Sequence, residues 1–307
     1  MEGETTKYHD QDVRSIEALS LPADLEALCR IRFDQLVARA QLIYEPSIGE
    51  TVEDQGFKLN FRFVPHLRRK PITPADAPER TTGKGHNPFL NPPPSEVLSP
   101  VGPSHLLLVN KFSVYRPSLL LITREFVPQA EGLNRNDLAA AWTLLCHFKE
   151  PYMMIYNCGF ESGSSQGHRH MQLWPYPDEQ ELGFELFPSK AESDVKVTEH
   201  ISNVPHKHFV LRLPANADLT ALVQAYDKLL RRVRQSHDEA GEGTDYNVIL
   251  VKEWMCMIPR RHSGLDRGAG ANSAAMLGLV WIVTKAEREV WNSAGPAEYF
   301  KYLGLPR

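Results

Sequence analysis

The stretch Asn157-Cys-Gly-Phe-Glu-Ser-Gly-Ser-Ser-Gln-Gly-His-Arg-His-Met-Gln172 decides how this chain is read. A loop of small residues runs directly into three polar side chains at alternate positions, His168, His170 and Gln172. In a β-strand, successive side chains point to opposite faces, so these three are expected on one face. Arg169, Met171 and Leu173 then occupy the other. Gly163, Ser164, Ser165 and Gln166 offer backbone N–H groups and hydroxyls to phosphate oxygens, and glycine permits positive φ and close backbone approach. Beside such a cradle, a neutral imidazole can attack phosphorus and split one transfer into two through a phosphoramidate. An unperturbed histidine is mostly neutral near pH 7, and an acceptor on its far ring nitrogen would fix the tautomer. His170, in the middle of the triplet, is the expected nucleophile.

Blander readings compete with this one. A His-x-His pair alone is a weak signal, and His206-Lys-His208, with the same spacing, reads as a surface-strand pair. Same-face imidazoles can also chelate a metal, but no third acidic or cysteine ligand lies near His168 and His170, so no protein-held metal is expected. The loop in front of the pair and Gln172 behind it raise the segment above background.

Outward from this segment the chain alternates helices and strands. Helical spacing runs from Leu25 to Ile43, and Phe57 to Val64 alternates as a strand with Lys58, Asn60 and Arg62 on its polar side. Residues 71–103 hold nine of the 23 prolines and read as a long irregular crossing, a kind of segment that is often functional. Strands are expected at His105–Val109, Leu119–Thr123, Tyr152–Tyr156, Lys207–Leu213, Asn247–Val251, Met255–Ile258 and Leu277–Val283. Asn136–Phe148 has the apolar stripe of an amphipathic helix, and Asp218 is a good N-cap for a second. Between the last two strands, Arg260 and Arg261 open a cationic, glycine-rich loop, and a charged pair after a strand reads as solvated. The pattern is α+β, with no repeat of fixed period and neither a P-loop nor a dinucleotide fingerprint.

Composition narrows the class. With 307 residues, 42% hydrophobic and 23% charged, the chain fits a globular protein able to bury a large core. A net charge of −4 argues against a general nucleic-acid binder, and the basic runs Arg68-Arg69-Lys70 and Arg231-Arg232-Val-Arg234 read as solvated faces. Cys29, Cys146, Cys158 and Cys256 are too far apart to suggest a zinc or disulfide framework, so reduced thiols are expected. The polar first ten residues lack the apolar core of a signal peptide, and no apolar run reaches the ~18 residues a span requires. A cytoplasmic protein is expected, the nucleus being the other compatible compartment, with no membrane partner.

The central segment resembles the active-site motif of the fungal diadenosine tetraphosphate phosphorylases (ATP adenylyltransferases), within the histidine triad superfamily. That motif reads Asn-x-Gly-x-x-Ser-Gly-x-Ser-Gln-x-His-Lys-His-x-Gln, and this chain departs from it at Arg169. The resemblance extends to Phe57–Pro71, Asn87-Pro-Phe89, Leu106–Phe112, Leu121–Phe126 and Glu253–Arg260, and in all from about Leu36 to Lys285. It implies a histidine-triad-like α+β fold, a mainly antiparallel sheet with flanking helices. Residues 1–190 would form the catalytic region, and 191–307 an ATP adenylyltransferase-type region packed on the same core.

The implied activity is cleavage of diadenosine 5′,5‴-tetraphosphate by orthophosphate to ATP and ADP through an AMP–His170 intermediate. A side reaction of sulfate with ADP is also implied. His170 matches the nucleophile, Gln172 the glutamine supporting the intermediate, and His168, Asn157, Gly163, Ser164, Ser165 and Gln166 substrate-binding positions. Lys58, Asn87, Asn272 and Ser273 match further nucleotide contacts. The expected partners are dinucleoside polyphosphates, ATP, ADP and phosphate. No tightly bound cofactor is expected; a divalent cation such as Mg²⁺ would accompany the polyphosphate. The alternatives are a histidine triad hydrolase, whose third position is usually His where Gln172 stands, and a non-catalytic nucleotide-binding protein. A galactose-1-phosphate uridylyltransferase-like enzyme shares the His-x-His-x-Gln chemistry but typically carries Pro where Arg169 stands.

Overall fold

A computed structural model describes residues 20–307; the polar N-terminus read above lies outside them. The fold is built on an antiparallel sheet of eight strands. Its members are β3 (Val97–Val101), β4 (His105–Val109), β5 (Leu119–Thr123), β6 (Tyr152–Cys158), β7 (His170–Pro175), β8 (Phe209–Arg212), β9 (Tyr246–Leu250) and β10 (Trp254–Pro259). In space they run β3-β4-β5-β7-β6-β9-β10-β8. Strands from beyond residue 191 thus extend the sheet begun by the first half, with β6 pairing β9 through Ile155 and Ile249. The central strands β5, β6, β9 and β10 are buried along their whole length, in keeping with mostly apolar sequences covered on both faces.

Helices α1 (Leu25–Ala38), α3 (Arg135–His147) and α5 (Leu219–Ala240) cover one face. Asn134 caps α3 by accepting from the N–H groups of Asn136 and Asp137, and the Asp137 carboxylate accepts from the Asn134 N–H in return. Asp218 caps α5, whose Leu222, Tyr226, Leu229 and Val233 pack on Met255 and Met257. Over part of the other face lies a small sheet of β1 (Gly49–Asp54), β2 (Phe57–Phe63) and β11 (Leu279–Ile282), joined by α6 (Ser273–Met276), α7 (Lys285–Ala294) and α8 (Pro296–Leu303). β11 returns from the far end of the chain to lie parallel to β2. Among the described residues no helix is long and apolar enough to cross a membrane.

Several expectations need correction. The proline-rich stretch is not wholly irregular: it holds a short helix, α2 (Glu79–Thr82), and the strand β3. Because β3 is an edge strand, Pro100 can sit in it without breaking a ladder on both sides. The first helix ends at Ala38, and it buries Cys29 and Phe33 while Ile31 is exposed. His206 and His208 are completely buried rather than on a surface strand, packed around Phe187 and Phe300. Arg260 is likewise fully buried. The sequence reading assigned no element to β1, α7 or α8, although α7 and α8 are amphipathic.

Candidate active site

β7 places His170 and Gln172 on the face away from α3 and α5, while Met171 and Leu173 enter the helix-covered core, as the alternation requires. His168 stands just before the strand. His170 is held from three sides. Its ring Nδ1–H donates to the His168 carbonyl at 2.9 Å. Its backbone N–H donates to Gln129 Oε1 at 2.7 Å, and the Phe89 ring tilts against the imidazole at 5.1 Å. With the proton held on Nδ1, Nε2 carries the lone pair, which is the form a nucleophile needs. Burial pushes the His170 pKa down to about 3, assisted by the nearby cations Lys70 and Arg80 and by His168. The ring is therefore neutral throughout the physiological range.

His168 takes the opposite tautomer. Its Nε2–H donates to the Thr123 carbonyl at 2.9 Å, and Nδ1 accepts from Asn87 Nδ2 at 3.1 Å. The Asn87 oxygen in turn accepts from the Phe89 N–H at 3.0 Å, which fixes the amide and the aromatic wall together. His168 is thereby a positioning group: it aims the carbonyl that locks His170. Gln129, which the sequence reading missed, braces both strands by donating to the carbonyls of Asn157 and His170.

Two cavities meet beside this pair, both lined by Lys70 and Ser165. The one containing His170 and Gln172 has walls of Phe89, Leu108, Leu120, Asn110 and Gln166. The other runs from Gly163 and Ser164 to Asn272, Trp281 and Leu265. Lys70 is half-buried with no ion-pair partner among the described residues, and loss of hydration pushes its pKa down to about 8. It was read as part of a solvated basic run; instead it is the ammonium shared by the two cavities. Lys58, matched by resemblance to a nucleotide contact, is exposed on β2 opposite Glu53 and lines neither cavity.

The Gly/Ser loop is pinned from behind. At Gly163, with φ of +91°, a Cβ would come within 2.4 Å of the Ala271 carbonyl, so only glycine fits. Arg80 donates to the Ser164 hydroxyl and carbonyl at 3.1 and 2.9 Å and to the Thr73 carbonyl at 2.7 Å, clamping the proline-rich segment onto the loop. Gln166 is tied to the same segment through the Pro71 carbonyl. The N–H groups of Ser164, Ser165 and Gln166 donate to no protein acceptor among the described residues.

Asn157 and Ser273 have a different place from the one expected. Asn157 Oδ1 accepts from Ser273 N–H and Oγ–H and from Asn247, and Arg260 donates to Asn247 and to the carbonyls of Ser162 and Ala271. This buried network lies behind the loop, and neither Asn157 nor Ser273 lines a cavity. Asn272 does line one, while its side chain caps α6. The second pair, His206 and His208, repeats the ring-to-carbonyl lock at 2.9 Å, but His208 Nε2 accepts from the Ile201 N–H, so its lone pair is occupied. Among the described residues no group of three or more His, Cys, Asp or Glu could hold a metal.

Comparison with known proteins identifies the family and the fold. Residues 29–187 match the family model of the Ap4A phosphorylase N-terminal domain, and residues 202–306 that of the ATP adenylyltransferase C-terminal domain. Diadenosine 5′,5‴-P1,P4-tetraphosphate phosphorylase 2 of Saccharomyces cerevisiae is 32% identical over 255 residues, 74% of this chain and 77% of the relative. Protein APA1 of the same yeast is 27% identical, covering 85% and 88%. Among solved structures, yeast Ap4A phosphorylase Apa2 in complex with Ap4A superposes with a TM-score of 0.77 at 24% identity, over 94% of this chain and 99% of that one. The fold is therefore that of Apa2, and the chain belongs to the Ap4A phosphorylase family.

Proposed function

We propose that this protein is an Ap4A phosphorylase, which cleaves diadenosine tetraphosphate with orthophosphate to give ATP and ADP. The observation that carries the reading is the His170 ring, locked through Nδ1 and presenting a neutral Nε2 to a cavity shared with Lys70 and the loop N–H groups. In the first displacement, Nε2 attacks the phosphorus of one AMP unit, an Nε2–P bond forms, and ATP leaves. In the second, a phosphate oxygen attacks the same phosphorus, the Nε2–P bond breaks, and ADP leaves. Lys70, Ser165 and the free N–H groups face the charge that builds on the phosphoryl oxygens.

Gln172 has no side-chain hydrogen bond among the described residues, so its amide can pair with the adenylylated intermediate. A neutral amide is neither a strong acid nor a strong base, which favours waiting for an anionic acceptor over hydrolysis. The divalent cation arrives with the polyphosphate. Rapid mixing with diadenosine tetraphosphate, with and without phosphate, tests the reading. Without phosphate, a burst of about one ATP per site and no ADP should appear; with phosphate, ATP and ADP should turn over together, and sustained formation of AMP and ATP regardless of phosphate would assign a hydrolase instead.

A further inference from the structure

One wall of the His170 cavity is not used by the phosphate chemistry. Glu96, just before β3, lines that cavity and is half-buried among Phe89, Leu108 and Leu120. Its backbone is fixed at both ends: the N–H donates to the Pro93 carbonyl, and its carbonyl accepts from the Val109 N–H, each at 2.9 Å. The carboxylate has no hydrogen bond and no ion pair among the described residues; Lys111 acts on it only through its field. A half-buried carboxylate without donors is costly unless a ligand supplies them.

The chemistry of that ligand follows from the neighbours. If AMP is transferred to His170, as proposed above, its phosphorus lies at Nε2 and its charged oxygens toward Lys70 and Ser165. The nucleoside must then fill the remainder of the cavity, where apolar side chains suit a base and Glu96 offers two acceptor oxygens. The carboxylate itself disfavours a phosphate beside it, though the Lys111 ammonium lines the same cavity. Two adjacent hydroxyls match the two carboxylate oxygens. We propose that Glu96 receives the 2′- and 3′-hydroxyls of the transferred nucleotide and makes the site select ribonucleotides. Burial raises the Glu96 pKa, and the field of Lys111 opposes the rise.

Calorimetric binding of AMP, 2′-deoxy-AMP, 3′-deoxy-AMP and IMP to the full chain and to Glu96→Gln tests this. Wild type should bind AMP about 10- to 100-fold more tightly than either deoxy analogue, the worth of hydrogen bonds to a charged acceptor. Glu96→Gln should reduce that preference to a few-fold and leave the AMP-to-IMP ratio unchanged. Glu96→Asp, which keeps the charge but withdraws it by one methylene, should lose most of the preference too, and serves if the Gln variant does not fold. A ribose preference unchanged in both variants overturns the assignment, as does loss of the AMP-to-IMP ratio instead. Wild type that prefers ribose but never forms AMP–His170 refutes the phosphorylase reading alone; wild type that adenylylates without ribose preference refutes Glu96 alone.

Discussion

Lys70→Met is the most searching perturbation of this site. It removes the ammonium shared by the two cavities and keeps an unbranched apolar stem. A charge-assisted hydrogen bond contributes about 1.5–3 kcal/mol, so kcat/KM should fall roughly 10- to 100-fold. A unit pair at about 4 Å with an effective dielectric of about 20 gives about 4 kcal/mol, which caps the loss near a thousandfold.

The pH profile adds a second, independent signature. The Lys70 charge is present below its pKa of about 8 and lost as pH rises through it, whereas His170 stays neutral until pH falls toward about 3. Wild-type kcat/KM should therefore hold a plateau and decline above pH 8. The limb on kcat should lie higher, because bound polyphosphate favours the ammonium. Single-turnover adenylylation without phosphate is the right assay, since ionisation of the acceptor then does not enter. Lys70→Met should lack the alkaline limb, and Lys70→Arg should push it out of range. Lys58→Met should change nothing, because Lys58 is exposed and away from both cavities. A Lys70→Met enzyme within twofold of wild type, or one that keeps the limb near pH 8, would refute the role given to Lys70.

Other substitutions probe the remaining parts. His170→Ala should abolish turnover and covalent capture of label from adenosine-labelled substrate, with the melting temperature nearly unchanged; label recovered on His206 or His208 would contradict the occupied lone pair of His208. Gln172→His should raise the share of AMP among the products when phosphate is scarce, read by nucleotide chromatography. Arg80→Lys keeps the charge but loses the fork that grips Ser164 and Thr73, so KM should rise about tenfold at near-constant kcat, and full rescue by lysine would show that charge alone matters. Arg169→Met leaves Asp137 buried without its 2.8 Å partner and should cost about 3–5 kcal/mol in urea unfolding.

What the sequence made legible, and what it hid, follows from how far each interaction reaches along the chain. The catalytic pair is local: the acceptor that orients His170 is the carbonyl two residues before it, so the motif carries its own geometry. β4 and β5 were readable for the same reason, as short apolar runs bounded by turn residues. His206 and His208 share the local geometry, yet burial under Phe187 and Phe300 and the occupation of one lone pair depend on side chains and backbone outside the motif. Arg68, Arg69 and Lys70 look alike in sequence; only the turn into Pro71 sends the third inward while the first two stay exposed. Arg260 reads as solvated because the carbonyls that satisfy it come from Ser162, Ala271 and Leu303, none of them beside it in sequence. Asn157 and Ser273, 116 residues apart, both matched substrate-contact positions, but here they bind each other. Chemistry at His170 is thus written in one contiguous stretch. The binding half of the site, with Lys70, Glu96 and Asn272 drawn from three separate segments, exists only once the sheet has closed. Substitutions at Glu96 and Asn272 should accordingly move KM and nucleotide choice before they touch the covalent step, whereas Lys70, beside the phosphoryl charge, moves both.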